Sequence, residues 1–257
     1  MGVERVSLRA QLQAGADLLL GVFITLRCTP LVEMAGLAGL DFVVVDMEHT
    51  LLSEADVEDM ARAGAAAGVK VLVRVRDRQP EAIGRVVETG VDGIMVPMVN
   101  TAAEAAAAIR AAYLPPRGSR GQSSLSRAAG FSIGPKAPDP FCAVEVESPS
   151  AVENLAQILA VPGLDMVFLG PGDLRNGLLS ADGPPEDVDA NLAAAVAKVV
   201  LAMRSSEKSY LGVPATYPSL GWTREQCLAN GARMATLGSD VGAMAGGFRR
   251  LAIGFRG

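Results

Sequence analysis

Short apolar runs alternate with Ala-rich stretches from one end of the 257-residue chain to the other. β-Branched and aromatic residues concentrate at 19–25, 42–46, 70–75, 93–96, 142–146, 166–169, 211–215 and 233–237. Runs with so little polar alternation suit parallel strands covered on their outer face by helices. The intervening segments predict helices over 30–37, 53–67, 80–89, 101–112, 150–159, 188–205, 223–229 and 239–251. Pro30 opens the first of these, and Ser53 caps the second, with Glu54 and Asp56 near its positive end. Gly68, Gly90 and Gly231 stand where helices give way to strands, as C-terminal caps should. Eight strands and eight helices in strict alternation predict one closed (β/α)₈ TIM barrel, a single domain over 1–257.

Two stretches break the alternation. Residues 115–140 are long, basic and rich in Gly, Ser and Pro, and they follow the fourth helix, so they need not lie on a catalytic rim. Residues 175–187 follow the sixth strand and are positioned to cover the mouth of the barrel.

Composition narrows the function without choosing it. Half of the residues are hydrophobic, enough for a large core, and the net charge of −5 comes with no basic block. Nucleic acid and anionic membrane surfaces are therefore poor partners. Cys28, Cys142 and Cys227 are widely spaced and odd in number, which is neither a disulfide framework nor a zinc pattern. The first residues lack the apolar core and cleavage site of a signal peptide, and no apolar run is long enough to span a bilayer, so a soluble cytoplasmic enzyme is expected.

In a barrel the catalytic groups come from the C-terminal strand ends. The second strand ends in Asp46-Met47-Glu48-His49, the third carries Arg74, the fifth carries Glu145 and Glu147, and the sixth runs into Gly170-Pro171-Gly172-Asp173. Glu147 and Asp173 lie 26 residues apart at the ends of successive strands, where two bare carboxylates would repel. A hard divalent cation between them, Mg²⁺ or Mn²⁺, would relieve that repulsion and keep open positions for substrate. The competing reading is an ion pair with a nearby arginine. His49 is the only histidine and can move a proton near neutral pH, although a lone histidine is more often structural. Arg74 can hold a carboxylate or developing enolate charge, or serve as counter-ion to Glu145 or Glu147. The glycines at 170 and 172 leave the backbone N–H groups of Gly172 and Asp173 open to a ligand. No lysine sits at a strand end suited to a Schiff base.

At these residues the chain resembles the HpcH/HpaI aldolases, metal-dependent enzymes acting on 2-keto acids. The likeness runs from about Leu18 to Ile253 through FVVVDMEH, the VRV strand, VDGIMVPMVNTAAEA, PPRGSRG, VEVESPSAVENLAQILAVPGLDMVFLGPGDL and GARMATLGSD. It implies a divalent metal on Glu147 and Asp173, with Co²⁺ a further candidate, chelated by a pyruvate-like 2-keto acid. Arg74 would then stabilise the enolate, His49 would be the acid–base group supported by Asp46, and an aldehyde would be the second substrate. Gly172 and Asp173, with Glu145, would line the substrate site. The resemblance also implies a homohexamer of dimers that exchange the last helix, with Glu88 reaching a neighbour's site. Glu145 stands where relatives commonly carry Gln, and Arg175 stands near the position where they carry Ser. Arg175 would read an anionic aldehyde or sit in solvent. Alternatives are a CoA-ester lyase, an oxaloacetate-type decarboxylase and a non-catalytic binding barrel.

Overall fold

The computed structural model describes residues 6–179, 187–206 and 208–256. Eight parallel strands close on one another in chain order: β1 Leu19–Ile24, β2 Phe42–Asp46, β3 Lys70–Arg74, β4 Gly93–Val96, β5 Phe141–Val146, β6 Met166–Leu169, β7 Tyr210–Pro214 and β8 Ala232–Ser239. The helices are α1 Leu8–Gln13, α2 Thr29–Leu37, α3 Glu54–Ala67, α4 Pro80–Glu88, α5 Ala102–Ala112, α6 Pro149–Glu153, α7 Leu155–Leu159, α8 Pro171–Leu179, α9 Val188–Arg204, α10 Arg224–Ala229 and α11 Asp240–Arg256. The expected (β/α)₈ architecture is present.

Local chemistry sets the boundaries. Ser53 and Asp56 form a reciprocal cap on α3, as Thr101 and Glu104 do on α5, each side chain accepting the other's backbone N–H. Gly68 ends α3 at φ 77°, a left-handed conformation that costs a residue without Cβ little. The helix expected over 150–159 is broken into α6 and α7 at Asn154, whose side chain donates to the carbonyl of Asn100 at 2.9 Å. Two helices escape the periodicity. α1 has only six residues, and α8 grows out of the Gly-Pro-Gly-Asp turn with Pro171 in its first turn. Of the segment 175–187, residues 175–179 extend α8, while 180–186 lie outside the described residues.

Two cores result. Between strands and helices, buried Val, Ala, Ile and Leu pack from Ile24 round to Ala235. Inside the barrel, Leu8 and Leu12 of α1 close the N-terminal end over Leu19, Phe42 and Phe141, with Val44, Leu72, Met95, Ala143, Met166, Phe168 and Met234 stacked above. Gly21 makes room in this stack, since a Cβ there would fall 2.4 Å from the Phe42 ring. The polar anchor below is Arg9, which donates twice to Asp165 at 2.7 Å. Residues 115–140 run past the C-terminal end of α4, where Ala128 N–H donates to Glu88 O and Arg120 pairs with the Glu88 carboxylate. That is the end away from the catalytic rim, as the position after the fourth barrel helix suggests.

Candidate active site

Strand side chains alternate, so the inward columns of β2, β5 and β8 are apolar below and turn polar toward their C-terminal ends, while that of β3 begins at Lys70, which pairs with Asp92 at the bottom of the barrel. On β2 the column is Phe42, Val44, Asp46; on β3, Leu72, Arg74; on β5, Phe141, Ala143, Glu145, with Glu147 next above. β8 contributes Met234 and then Thr236. Parallel register pairs Asp46 with Arg74 and Glu145 with Phe168, which places these ends at one level. They line a cavity of about 440 Å³ together with Phe23, Gly172, Asp173, Pro214 and Tyr217.

Arg74 organises the floor. Its Nε and one terminal nitrogen donate to the two Asp46 oxygens at 2.9 and 2.7 Å, a bidentate pair, and its other terminal nitrogen donates to Glu145 at 3.4 Å. Glu48 Oε2 is 3.4 Å from Arg74 Nε, and the guanidinium lies 5.0 Å from the centre of the Phe23 ring. Arg74 is thus the counter-ion of Asp46 first and of Glu145 second. Asp46 also accepts the backbone N–H groups of Glu48 and His49 at 3.0 and 3.4 Å, so it shapes the loop and holds His49 by its backbone rather than by its ring. The imidazole of His49 is 59% exposed, with Nε2 3.5 Å from Glu48 Oε2, and it stands on the rim outside the cavity.

Glu147 is 3% exposed and sits beneath Gly170, where a Cβ would come within 2.5 Å of its own. One oxygen accepts Met98 N–H at 2.5 Å, from a backbone held at φ 54°. Arg78 and Asn100 fix that turn by donating to Met98 O at 2.6 and 3.2 Å. Burial pushes the Glu147 carboxyl up to about 7; the Met98 hydrogen bond opposes this, while Glu48 and Asp173 push further. Burial also raises Glu48, and it raises Glu145 well above the usual carboxylate range against the pull of Arg74. Neither Glu147 nor Asp173 forms an ion pair with an arginine or lysine among the described residues, although the charge of Arg74 pulls the Glu147 carboxyl down.

The residues present fit a divalent ion. Asp46, Glu48 and Glu145 meet the one arginine, Glu147 and Asp173 add two further carboxylates, and buried oxygens of Glu48 and Glu145 have no hydrogen-bond partner. Among the described residues no three acids, histidines or cysteines form a complete metal cage. Glu147 and Asp173 could hold an ion whose remaining positions go to water and substrate. At the start of α8, Gly172 and Asp173 present first-turn N–H groups, and a Cβ on Gly172 would meet Tyr217 Oη at 2.9 Å.

Other residues singled out in the sequence lie away from this cavity. Glu88 lies at the C-terminal end of α4, paired with Arg120. Arg175 pairs with Asp189 at 3.0 Å and lines a separate cleft on the flank of the barrel, with Trp222. Cys142 and Cys227 are buried and Cys28 half-buried, all unpaired, and burial pushes the Cys142 thiol up to about 12. Glu48, Met98, Tyr217 and Thr236 were missed. Glu48 and Thr236 carried a signal, as polar residues at the ends of apolar strands, whereas Met98 acts through its backbone and Tyr217 comes from a loop.

Comparison with known proteins shows the family. The sequence profile of the HpcH/HpaI aldolase/citrate lyase family matches residues 19–246. A 2-dehydro-3,6-dideoxy-6-sulfogluconate aldolase of Pseudomonas putida is 34% identical over 70% of this chain and 72% of its own. A hydroxypyruvate/pyruvate aldolase of Agrobacterium fabrum is 33% identical over 88% of this chain and 84% of its own. The crystal structure of a family protein from Burkholderia cenocepacia superposes with a TM-score of 0.86, 29% identity, and coverage of 97% of this chain and 99% of the other. The chain belongs to the HpcH/HpaI aldolase/citrate lyase family and is an aldolase, a carbon–carbon lyase.

Proposed function

We propose that the enzyme makes and cleaves 4-hydroxy-2-keto acids by a metal-dependent aldol reaction of a pyruvate-like 2-keto acid with an aldehyde. The observation that carries this reading is the pair Glu147 and Asp173 on one cavity, neither of them in an ion pair with a cation among the described residues. A divalent ion bound there, Mg²⁺, Mn²⁺ or Co²⁺, supplies Lewis acidity at the keto group.

The chain's own residues do the rest. The substrate carboxylate is received by the N–H groups of Gly172 and Asp173 at the positive end of α8. A C3–H bond breaks, the proton passes to His49, and the electron pair moves into the keto group as an enolate. Arg74, already fixed by Asp46, faces that growing negative charge without having to reorganise. Phe23, Phe168 and Pro214 exclude water from the enolate. C3 then attacks the aldehyde carbon, and the new alkoxide takes a proton; cleavage is the reverse. His49, on the rim beside Glu48, is the group that gives and takes that proton.

The assembly is a homohexamer in the cytoplasm. Val241, Met244, Phe248, Leu251 and Phe255 of α11 are exposed on the single chain, a face suited to exchange with a second copy. Among the described residues no helix is long and apolar enough to cross a membrane.

Deuterium exchange at C3 of pyruvate, followed by NMR with and without Mn²⁺, tests the reaction without choosing an aldehyde. Exchange should require the ion, vanish in Glu147→Ala and Asp173→Ala, and fall in His49→Ala while Mn²⁺ binding persists. Full exchange by EDTA-treated enzyme would overturn the proposal.

A further inference from the structure

Glu147 stands one residue past the end of β5, and among the described residues its carboxylate accepts one hydrogen bond, from Met98 N–H. That donor belongs to a backbone at φ 54°, in the left-handed region that a residue with a Cβ enters only at a cost. Met98 is 42% exposed, so side-chain packing does little to impose the conformation. Something else holds it.

A polar brace spanning three loops supplies the hold. One terminal nitrogen of Arg78, between β3 and α4, donates to Met98 O and to Glu104 Oε1, both at 2.6 Å. The other Glu104 oxygen accepts the N–H groups of Asn100 and Thr101 at 2.7 and 3.1 Å. Asn100 Nδ2 donates to Met98 O at 3.2 Å, and Asn100 Oδ1 accepts from the hydroxyl of Ser148, the residue after Glu147. A closed ring therefore runs from Glu147 through Met98 and Asn100 back to Ser148, and Arg78 with Glu104 clamps it from outside the cavity.

The clamp acts on the carboxylate through the backbone. Without it, Met98 is free to return to negative φ, which turns its N–H away from Glu147. With the clamp in place, Glu147 Oε1 is committed to Met98, while Oε2 lies against Gly170, at the start of the turn that leads to Asp173. An oxygen presented in a fixed direction binds an ion without the loss of rotamer freedom that a loose carboxylate suffers.

We propose that Arg78 is a positioning residue for the metal centre, holding Met98 in its left-handed turn so that Glu147 offers one ordered oxygen to the divalent ion. The inference rests on the metal-dependent reading and adds to it a half-exposed residue that does not line the cavity.

The test is a double-mutant cycle between Arg78→Met and Met98→Gly on the full-length protein, stripped with EDTA, dialysed and free of substrate. The readout is the Kd for Mn²⁺, taken from the electron spin resonance signal of the unbound ion. Arg78→Met alone should weaken binding by about tenfold or more, the scale of an outer-shell contact to a metal ligand. In the presence of Met98→Gly the same change should cost less than about threefold, because glycine adopts a positive φ without a clamp. Arg78→Lys, which keeps a cationic donor, should recover most of the loss. A merely structural role for Arg78 would weaken binding equally on both backgrounds. Met98→Val keeps the N–H and the brace but puts a β-branched residue in the left-handed region, so it should weaken Mn²⁺ binding by itself and serves should Arg78→Met fold poorly. A loss below about twofold in both Arg78→Met and Met98→Val, or an equal Arg78→Met loss on both backgrounds, overturns the inference and leaves the metal reading standing. A wild type that binds no Mn²⁺ sinks both.

Discussion

The raised pKa of Glu147 has a consequence for stability that can be measured without substrate. In the metal-free folded chain this carboxyl titrates at about 7, against an ordinary 4.5. Between those values the folded state holds a proton that the unfolded state has released. The associated stability is therefore complete below about pH 4.5 and is lost as the pH rises through about 7. The whole gap corresponds to about 3 kcal/mol, of which about 2 kcal/mol falls between pH 5.5 and 7.5. Urea titrations in EDTA at those two pH values read it directly. With m of about 2–3 kcal/mol/M, the wild-type midpoint should drop by about 0.7–1 M on going to the higher pH. Burial raises Glu48 and Glu145 in the same direction, so the loss worked for Glu147 alone is a lower bound for wild type, and Glu147→Gln isolates the share of Glu147. That variant should lose about 2 kcal/mol less than wild type over the interval. Saturating Mn²⁺ favours the ionised form, so at a hundred times its Kd it should return about 2.7 kcal/mol to wild type at pH 7.5 and little to Glu147→Gln. A wild-type midpoint that rises over this interval in EDTA, or an equal response to Mn²⁺ in both proteins, would refute the reasoning.

Three further outcomes follow from the same geometry. Arg74→Met leaves Asp46 and Glu145, 2% and 1% exposed, without their cation and should cost about 3–5 kcal/mol in urea unfolding at pH 7.5; a loss below about 1 kcal/mol would show that the acids are compensated elsewhere. Gly170→Ala sets a Cβ 2.8 Å from Glu147 Oε2, so calorimetry should find Mn²⁺ binding weakened about 10–100-fold in a protein whose circular dichroism is unchanged. Ending the chain after Asp240 removes the exposed apolar face of α11 while keeping the carboxylate that accepts from Thr25 and Leu26 N–H at 3.0–3.1 Å. Light scattering should then report a smaller assembly, and an unchanged hexamer mass would remove α11 from the contact.

What the sequence determined by itself was set by local rules. Strand and helix periods, the Ser53 cap and the Gly68 terminator depend on residues within a few positions, and they were enough to give eight alternating units and therefore a barrel. The rim was legible for a related reason: Asp46, Arg74, Glu145 and Glu147 are polar residues at the ends of apolar strands, and a parallel barrel brings such ends together whatever its details. The likeness in several separated motifs then marked the family. Tertiary structure alone decided the partners. That Asp46 holds the backbone of His49 and the guanidinium of Arg74, and that Glu88 pairs with Arg120, depends on side-chain directions across elements distant in sequence. The left-handed turn that aims Met98 N–H at Glu147, and the unpartnered state of Glu145 Oε2 and Thr236 Oγ1, belong to the same class. Burial is a property of the closed barrel and not of any one strand, so the raised carboxyl of Glu147 could be derived only once the cylinder was shut around it.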